Sequence, residues 1–281
     1  MASDQPQPHP QRDELWRAYL TGGEEALLEF FPAWLRPLVA LQEKGLALLP
    51  SSPRCLWCNA PFKGLGAPLM RVMGKGQSDF NPSICRDCEE FARKHECGAE
   101  VELTMLFADI RGSTTLAEKM EPGAYSRLIN RFYKATTDVL IRSQAMIDKL
   151  LGDEVVAFYV PGLAGPQHAR VAIDAARELL LVTGHGDAGG PWIPVGAGVH
   201  TGMAYVGAVG SAEGVTDITA LGDVPNTASR LASEAGPGEI LVSADSWAAA
   251  GLRDPAIEER TLQLKGRTEP LSARFLRVAP L

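Results

Sequence analysis

The chain has 281 residues, a mass of 30.1 kDa and a formal net charge of −7. Hydrophobic residues make up 46% and charged residues 22%, a composition typical of folded globular proteins that excludes a disordered or collagen-like chain. The negative charge argues against a protein held to nucleic acid by bulk positive charge. Five cysteines are too few, and odd in number, for the disulfide framework of a small secreted domain.

The N-terminal segment, which is rich in Pro and Gln, lacks the apolar core of a signal peptide. No stretch reaches the ~18 apolar residues of a transmembrane helix. We therefore expect a cytoplasmic protein without a membrane anchor. In that compartment thiols stay reduced, and grouped cysteines tend to bind metal.

Four segments are predicted along the chain. Residues 1–12 are expected to form a disordered tail, and residues 13–49 a helical segment with two short helices divided near residues 21–23. Residues 50–98 contain all five cysteines and are expected to form a small metal-binding module. Residues 99–281 are predicted to form one α+β domain.

The first half of that domain predicts strands and helices in alternation. The segment VELTMLFAD indicates a buried strand that ends at Asp109. Thr115 and Glu118 have the spacing of a capping box and predict a helix, and a longer helix is expected from Pro122 to about residue 145. Two short strands flank a turn at 151–153, and a further helix is expected from residue 166 to about 182.

The second half predicts a sheet continued by shorter elements. Val195–His200 and Ala204–Val209 predict a hairpin whose turn is Thr201–Gly202. Further strands are predicted at 216–221, 239–242, near 257–264 and near 272–278, and helices at 225–234 and 244–250. The order β-α-α-β-β-α-β favours a ferredoxin-like core, a central antiparallel-rich sheet with flanking helices.

Two carboxylates have positions that could bring them together. Asp109 ends a predicted strand, and Asp153 lies in the turn between two others, so neighbouring strands would place both at one edge of the sheet. Oxygen ligands of this kind suit Mg²⁺ or Mn²⁺. Taken alone, the pattern favours a simpler interpretation, in which Asp109 caps the next turn and Asp153 supplies turn geometry beside Gly152.

Five stretches, in order, resemble motifs of the class III nucleotide cyclases. They are LFADIRGSTTLAE, DKLLGDEVVAFY, VGAGVHTGMAYVGAVGS, DITALGDVPNTASRLASEAGPGEILVS and LKGRTEPLSARFL. Together they cover about residues 99–281 in the family's order, a far stronger signal than any single motif. The resemblance implies a catalytic domain that converts a nucleoside triphosphate into its 3′,5′-cyclic monophosphate and pyrophosphate.

The resemblance also implies roles for individual residues. Asp109 and Asp153 match the ligands of two Mg²⁺ or Mn²⁺ ions, with the Ile110 carbonyl as a further ligand. Asn226 and Arg230 match the family's transition-state pair. Asn226 would orient the ribose, and Arg230 would meet the charge that develops at the α-phosphate.

The choice of base is implied by two further positions. Lys149 matches the lysine that recognises adenine in adenylate cyclases, and Thr219 matches the position whose side chain accepts from the adenine amino group. We therefore expect ATP as the substrate, with a guanylate cyclase and a non-catalytic nucleotide-sensing module as alternatives. Taken alone, Lys149 also fits a solvated lysine on an edge strand. Lys265 resembles the residue that contacts the terminal phosphates.

The family's geometry implies a dimer. Each site takes its metal-binding aspartates from one subunit, and its base-recognising, transition-state and phosphate-contacting residues from the other. The chain carries one copy of every element, so we expect a head-to-tail homodimer with two equivalent sites.

The cysteine segment carries two C-x-x-C pairs, Cys55–Cys58 and Cys85–Cys88, with 26 residues between them. Four thiolates can form a closed tetrahedral Zn²⁺ site, although the intervening length exceeds the usual 15–20 or so residues. We expect zinc. An iron–sulfur cluster, with Cys97 as an extra ligand, and a site without metal remain alternatives. Binding to nucleic acid is not expected, because no cluster of aromatic residues and arginines accompanies the cysteines.

Overall fold

A computed structural model of the chain describes residues 10–22, 53–78, 81–94, 98–210, 216–265 and 267–278, together with residues 33, 36, 37 and 45. The chain divides into two compact units. The first contains the described residues up to 101, with 161–163 and 205–220, and the second contains 102–160, 164–204 and the described residues from 221 onward. Of the two helices predicted within 13–49, the second lies outside the described residues except for the isolated positions 33, 36, 37 and 45.

Elements are numbered along the chain. The helices are α1 (Pro10–Gly22), α2 (Ala67–Val72), α3 (Arg86–Lys94), α4 (Ser113–Lys119), α5 (Pro122–Arg142), α6 (Pro161–Ala164), α7 (His168–Val182), α8 (Asp223–Glu234) and α9 (Ala244–Ala249). The strands are β1 (Gly98–Ile110), β2 (Met146–Leu151), β3 (Glu154–Tyr159), β4 (Val195–Gly210), β5 (Thr216–Leu221), β6 (Glu239–Ser243), β7 (Glu259–Leu262) and β8 (Leu271–Arg277). None of these helices is both long and apolar enough to span a bilayer.

The strands form one mixed sheet in the order β2-β3-β1-β4-β6-β8-β7, and β5 pairs with β4. Pairing is antiparallel between β1 and β3, β2 and β3, β6 and β8, and β7 and β8, and it is parallel between β4 and β6. The expected central, mainly antiparallel sheet with flanking helices is confirmed. The strands around the turn at 151–153 and the long helix that begins at Pro122 also lie where the sequence pattern predicts them.

Apolar side chains at helical spacing hold the helices of the second unit against the sheet. On α5, Phe132, Val139 and Leu140 are fully buried, and on α7 Leu179 and Leu180 are. They form one large hydrophobic cluster with apolar residues of strands β1, β2, β3, β4 and β6. A smaller cluster joins α8 to β6 and β8 and consists of Leu231, Ala235, Leu241, Leu264, Ala273 and Phe275.

The first unit contains an aromatic contact between α1 and the first C-x-x-C pair. The ring of Trp57 lies edge-on to Trp16, with centroids 5.4 Å apart, and to Tyr19, with centroids 4.9 Å apart. Trp16 and Tyr19 are both buried. Aromatic pairs in this arrangement add to the free energy gained by burial, so α1 belongs structurally to the cysteine-containing part of the chain.

The hairpin predicted at Thr201–Gly202 is wrong, because β4 runs without interruption through both residues. The Thr201 hydroxyl is buried and lies 2.8 Å from the Thr104 hydroxyl and 2.9 Å from that of Ser246, and these contacts hold Thr201 within the sheet. A Cβ on Gly202 would lie 2.9 Å from the Val224 side chain on α8. The glycine therefore reflects the close approach of a helix and not a chain reversal.

The capping box predicted from Thr115 and Glu118 is not formed. Helix α4 begins two residues earlier, at Ser113, and no side chain caps it. The preceding residue, Gly112, has φ +70°, a left-handed conformation that glycine adopts readily. This glycine turns the chain after β1 and places Thr115 inside the helix.

Gly198 provides a test of how closely α8 lies against β4. A Cβ at this position would overlap the Ala228 carbonyl oxygen and the Ala232 amide nitrogen. We expect Gly198→Ala to lower the free energy of unfolding by about 2 kcal/mol, since backbone atoms cannot move aside as a side chain can. Urea denaturation measures this, with Gly189→Ala as the control because a Cβ there meets nothing within 4 Å. Equal stability of the two variants would contradict the close packing.

Candidate active site and cysteine cluster

The two predicted metal-binding aspartates lie on adjacent backbone segments. The antiparallel register of β1 and β3 sets Asp109 opposite Glu154. The amide of Ile110 donates a hydrogen bond of 3.1 Å to the carbonyl of Asp153. Gly152, with φ +62°, makes the tight turn that returns the chain at this point. The end of β1 and the turn before β3 therefore meet at one edge of the sheet.

The two carboxylate oxygens of Asp109 have different surroundings. Oδ1 is buried and has no hydrogen-bond partner in the described structure. Oδ2 forms an ion pair with Arg111. A buried carboxylate oxygen without a donor is unfavourable, and a divalent cation is the kind of group that would satisfy it. The carboxylates of Asp109 and Asp153, with the carbonyl of Ile110, are a donor set that fits Mg²⁺ or Mn²⁺.

Arg111 is a residue of this region that the sequence pattern did not identify. Besides Asp109, its guanidinium donates to the carbonyls of Ser233, at 3.1 Å, and Ala235, at 3.4 Å. These carbonyls lie at the C-terminal end of α8, where helices leave acceptors unpaired. Burial lowers the pKa of Arg111, although the charges of Asp153 and Glu154 oppose this. The residue therefore links the aspartate pair to the end of α8.

The charge of Asp153 affects the pKa values of two tyrosines on α5. The Tyr133 hydroxyl donates a hydrogen bond of 2.8 Å to the Gly152 carbonyl. Partial burial and the negative charge of Asp153 raise the pKa of both Tyr125 and Tyr133. Burial and the same charge raise the pKa of Glu154, against the effect of Arg111. The negative charge of Asp153 thus reaches the side chains around the turn, and a divalent cation would offset it.

Helix α8 carries the two residues matched to the transition-state pair. Its buried residues are Val224, Thr227, Ala228, Leu231 and Ala232. Asn226 is exposed, and its amide donates a hydrogen bond of 3.1 Å to the Gly222 carbonyl. Arg230 is half-buried and pairs with no carboxylate of the described chain, including the nearby Glu234. Among the described residues, no carboxylate neutralises the charge of its guanidinium.

The remaining predicted residues lie on three other elements. Lys149 is exposed on β2, an edge strand, directly after a β-bulge. Thr219 is buried on β5, in the first unit. Lys265 is exposed in a turn that a hydrogen bond of 3.1 Å from the Arg267 amide to the Leu264 carbonyl closes. Like Arg230, neither lysine pairs with a carboxylate of the described chain.

The four cysteines of the two C-x-x-C pairs come together. Their sulfur atoms all lie within 4.8 Å of one another, and those of Cys58 and Cys85 are 3.6 Å apart. Four sulfurs at ~2.3 Å from a central ion would lie about 3.8 Å apart in a tetrahedron. The amides of Cys58 and Cys85 donate to the Cys55 sulfur at 3.5 and 3.2 Å. The sequence prediction that these residues converge is confirmed.

The thiols of this cluster influence one another. Burial raises the pKa of Cys55 well above its usual range. Hydrogen bonds from the other three cysteines lower the pKa of Cys58. Four thiolates so close together repel one another unless a cation lies between them, so the donor set fits a single metal ion. His95 and Cys97 lie outside the described residues.

Residues 97–271 match the adenylate and guanylate cyclase catalytic domain, which is more than half of the chain. The chain belongs to this family, the class III nucleotide cyclases. The five motifs, the sheet and the aspartate pair all lie within or at the end of the matched segment, which makes the resemblance read from the sequence correct at family level.

Individual relatives agree with this assignment. An adenylate cyclase of Anabaena cylindrica is 34% identical over 135 residues, covering 46% of this chain and 26% of that protein. Adenylate cyclase 1 of Rhizobium meliloti is 32% identical, covering 46% of this chain and 20% of that protein. The matched region is thus about a quarter of each of these larger proteins.

Solved structures of both cyclase types resemble the chain. The guanylyl cyclase Cya2 is 27% identical with a TM-score of 0.57, covering 63% of this chain and 92% of that one. The adenylyl cyclase CyaB from P. aeruginosa is 28% identical with a TM-score of 0.54, covering 64% and 95%. The class III cyclase fold is therefore established. The guanylyl cyclase and the adenylyl cyclase resemble the chain about equally well.

The cysteine cluster gives a prediction about metal content. We expect the purified protein to contain about one zinc ion per chain, and Cys58→Ala and Cys88→Ala to lose it, because a closed structural site needs all four ligands. Mass spectrometry of the metals measures this. Cys97→Ala is the control, since Cys97 is not among the predicted ligands. A coloured protein that contains iron, or variants that keep their zinc, would contradict the prediction.

Proposed function

We propose that the chain is an adenylate cyclase that converts ATP into 3′,5′-cyclic AMP and pyrophosphate. Family membership supports the type of reaction. The observation that carries the proposal concerns Oδ1 of Asp109, which is buried next to the Asp153 turn and has no hydrogen-bond partner among the described residues. This is where a nucleotide cyclase needs a divalent cation to bind its triphosphate.

The proposed metal ligands are Asp109, Asp153 and the carbonyl of Ile110, for two Mg²⁺ or Mn²⁺ ions. When bound, such ions lower the pKa of the attacking hydroxyl and offset the charge of the phosphates. Arg111 holds Oδ2 of Asp109 and leaves Oδ1 for a metal. At this edge of the sheet the chain therefore orients the carboxylate of Asp109 through Arg111. It places Asp153 directly after the tight turn at Gly152.

The reaction joins the ribose 3′-oxygen to the α-phosphorus, and the 3′-hydroxyl releases its proton to water. The bond between the α-phosphorus and the bridging oxygen breaks, and pyrophosphate leaves with the electron pair. In the proposed mechanism Asn226 orients the ribose, and Arg230 stabilises the negative charge that develops at the α-phosphate. Lys265 contacts the terminal phosphates. Neither Arg230 nor Lys265 pairs with a carboxylate of the described residues, and this supports both roles because an anion would meet an unneutralised charge there.

We assign ATP as the substrate from Lys149 and Thr219. In this proposal Lys149 donates to N1 of adenine, which is an acceptor in adenine but carries a hydrogen in guanine, and the Thr219 hydroxyl accepts from the 6-amino group. The relatives from Anabaena cylindrica and Rhizobium meliloti are named adenylate cyclases. A guanylate cyclase is the second candidate, favoured by the likeness to Cya2.

We further propose that two chains share two sites. Arg111, beside Asp109, reaches Ser233 at the far end of α8 from Asn226. The seven residues that separate Asn226 from Ser233 correspond to ~10 Å along a helix. Within one chain the aspartate pair thus adjoins the end of α8 opposite to Asn226, which supports a site completed by the Asn226 of a second chain.

The cysteine cluster is proposed to be a structural zinc site. Its sulfurs surround a space suited to one ion, whereas an iron–sulfur cluster must accommodate several metal and sulfide atoms between its ligands. The contacts of Trp57 with α1 suggest what the ion stabilises, namely the packing of α1 on the first C-x-x-C pair. Its role is then to order the N-terminal part of the chain.

A turnover assay with Mn²⁺ and either ATP or GTP tests the proposed activity. We expect cyclic AMP to form with a kcat/KM at least about tenfold above that for GTP, because the base pocket donates to N1 and accepts from the amino group. Asp109→Asn should abolish turnover, while Arg170→Ala, which alters only an exposed ion pair on α7, should not. Faster cyclisation of GTP would contradict the base assignment. Nucleotide binding without turnover would favour a sensing module.

Mixing inactive variants tests the shared sites. Asp109→Ala and Arg230→Ala should each be inactive alone, since each removes a group that both sites require. A 1:1 mixture should recover about a quarter of the wild-type activity, because half of the dimers are mixed and each of those has one intact site.

The matched control for this experiment is a mixture of Asp109→Ala and Asp153→Ala. Both substitutions affect the same half of each site, so no mixed dimer contains an intact site and no activity should return. Recovery in the control, or none in the first mixture of two folded proteins, would argue against sites shared in this way.

A further inference from the structure

The turn that carries Lys265 is held at both of its ends. The Arg267 amide donates to the Leu264 carbonyl at 3.1 Å, and the Gln263 side-chain amide donates to the Arg267 carbonyl at 2.9 Å. Lys265 itself is exposed and contributes to neither contact. The described residues on either side of Lys265, Leu264 and Arg267, are therefore joined by a hydrogen bond.

Leu264 forms an apolar attachment between this turn and α8. Its side chain is only 1% exposed and packs in the cluster that contains Leu231 and Ala235. Leu231 lies one residue after Arg230, on the buried side of the helix. Because burial of apolar surface stabilises a contact, the start of the turn is attached to the helix.

Arg267 forms a second, polar attachment to the same helix. Its Nη1 donates to Oδ2 of Asp223 at 2.6 Å and also to the hydroxyl of Thr227. Asp223 is the first residue of α8, and Thr227 is buried one turn later. Asn226 lies between these two residues in the sequence. The polar attachment thus holds the turn of the helix from which Asn226 projects.

We propose that Arg267 is a positioning residue, which fixes Lys265 relative to Asn226 and Arg230 by joining its turn to the start of α8. This inference rests on the proposed function, because it assigns those three residues to one triphosphate. Leu264 alone would attach the turn at a single point, about which Lys265 could swing. With Arg267 as a second point, the groups that meet the ribose, the α-phosphate and the terminal phosphates belong to one rigid element.

We expect Arg267 to affect the position of Lys265 and to add little to the stability of the fold. The Asp223 side chain is 68% exposed, and ion pairs with an exposed partner add little to stability. Catalysis by positioning is far more sensitive, since a misplacement of ~1 Å can cost about a hundredfold in rate. A variant at this position should therefore lose activity without losing its fold.

Kinetics of Arg267→Ala test the proposal. We expect the KM for Mn²⁺–ATP to rise about tenfold, with a smaller fall in kcat, because the terminal phosphates are bound in the ground state as well as in the transition state. The melting temperature should change no more than in Arg170→Ala, which removes another exposed ion pair. Unchanged kinetic constants would overturn the proposal, as would a large fall in melting temperature that explains the loss.

A conservative variant separates this role from a general effect of the substitution. A single nitrogen of Arg267 makes both contacts, so Arg267→Lys keeps one suitable donor and should recover most of the lost kcat/KM. Asp223→Asn should reproduce part of the defect of Arg267→Ala. Failure of lysine to improve on alanine would contradict the contact-based role.

A double-mutant cycle tests whether Arg267 acts through Lys265. If it does, Arg267→Ala combined with Lys265→Ala should be no worse than Lys265→Ala alone, within about twofold. Losses that multiply would show that Arg267 acts independently of Lys265, and would overturn the proposal.

Hydrogen exchange distinguishes failure of this inference from failure of the proposed function. If the wild-type protein cyclises neither ATP nor GTP, the proposed function is wrong, whatever Arg267 does. The attachment is then measured directly in the full chain. Arg267→Ala should speed exchange at the amide of residue 267 and in the second turn of α8, from Thr227 to Arg230, but not in α7. Unchanged exchange in that turn would refute the attachment itself.

Discussion

Helix α8 lies so close to strand β4 that two positions on the strand have no room for a larger residue. Gly198 meets the backbone of α8 at Ala228 and Ala232, and Gly202 meets Val224 near the start of the helix. Because backbone meets backbone, the helix cannot shift without breaking the contact. The direction of Asn226 and Arg230, and the position of every group attached to α8, follow from this contact.

Two arginines bind to opposite ends of α8, whose position is fixed by its contact with β4. Arg267 holds its first turn, through Asp223 and Thr227, and Arg111 holds the carbonyls at its last turn. Arg111 also pairs with Asp109, so the aspartate pair is positioned partly by α8. The helix is therefore both the carrier of the proposed transition-state residues and a structural support for the proposed metal site.

The segment around the cysteine cluster is stabilised differently from the sheet and its helices. The surrounding segment is short and rich in Gly and Pro, and a chain of this kind buries too little apolar surface to hold itself by a hydrophobic core alone. Four sulfurs within 4.8 Å of one another, and Trp57 packed on α1, replace part of that core. A metal ion at this place would supply the remaining free energy.

The amino-acid sequence by itself determined most of the strands and the class of fold, and it identified the residues proposed to carry chemistry. Alternation and helical spacing are local properties, so β1, β3, α5 and α7 could be predicted, and the C-x-x-C pairs and family motifs are short enough to read directly. The prediction from sequence was wrong where a residue pattern typical of a turn arose from contacts with residues far away in the chain. Thr201–Gly202 resembles a turn, but its threonine is held by Thr104 and Ser246, and its glycine makes room for α8.

Only the tertiary structure decided which side chains meet. The contact of Arg111 with Ser233 spans 122 residues, and that of Arg267 with Thr227 spans 40. No local pattern reports such a pair, since either arginine would look the same in the sequence if its partner were absent. The availability of Asp109 Oδ1 likewise depends on what surrounds it in space. Spacing along the chain nominates residues for a site, but burial and charge in the folded protein determine what each of them can bind.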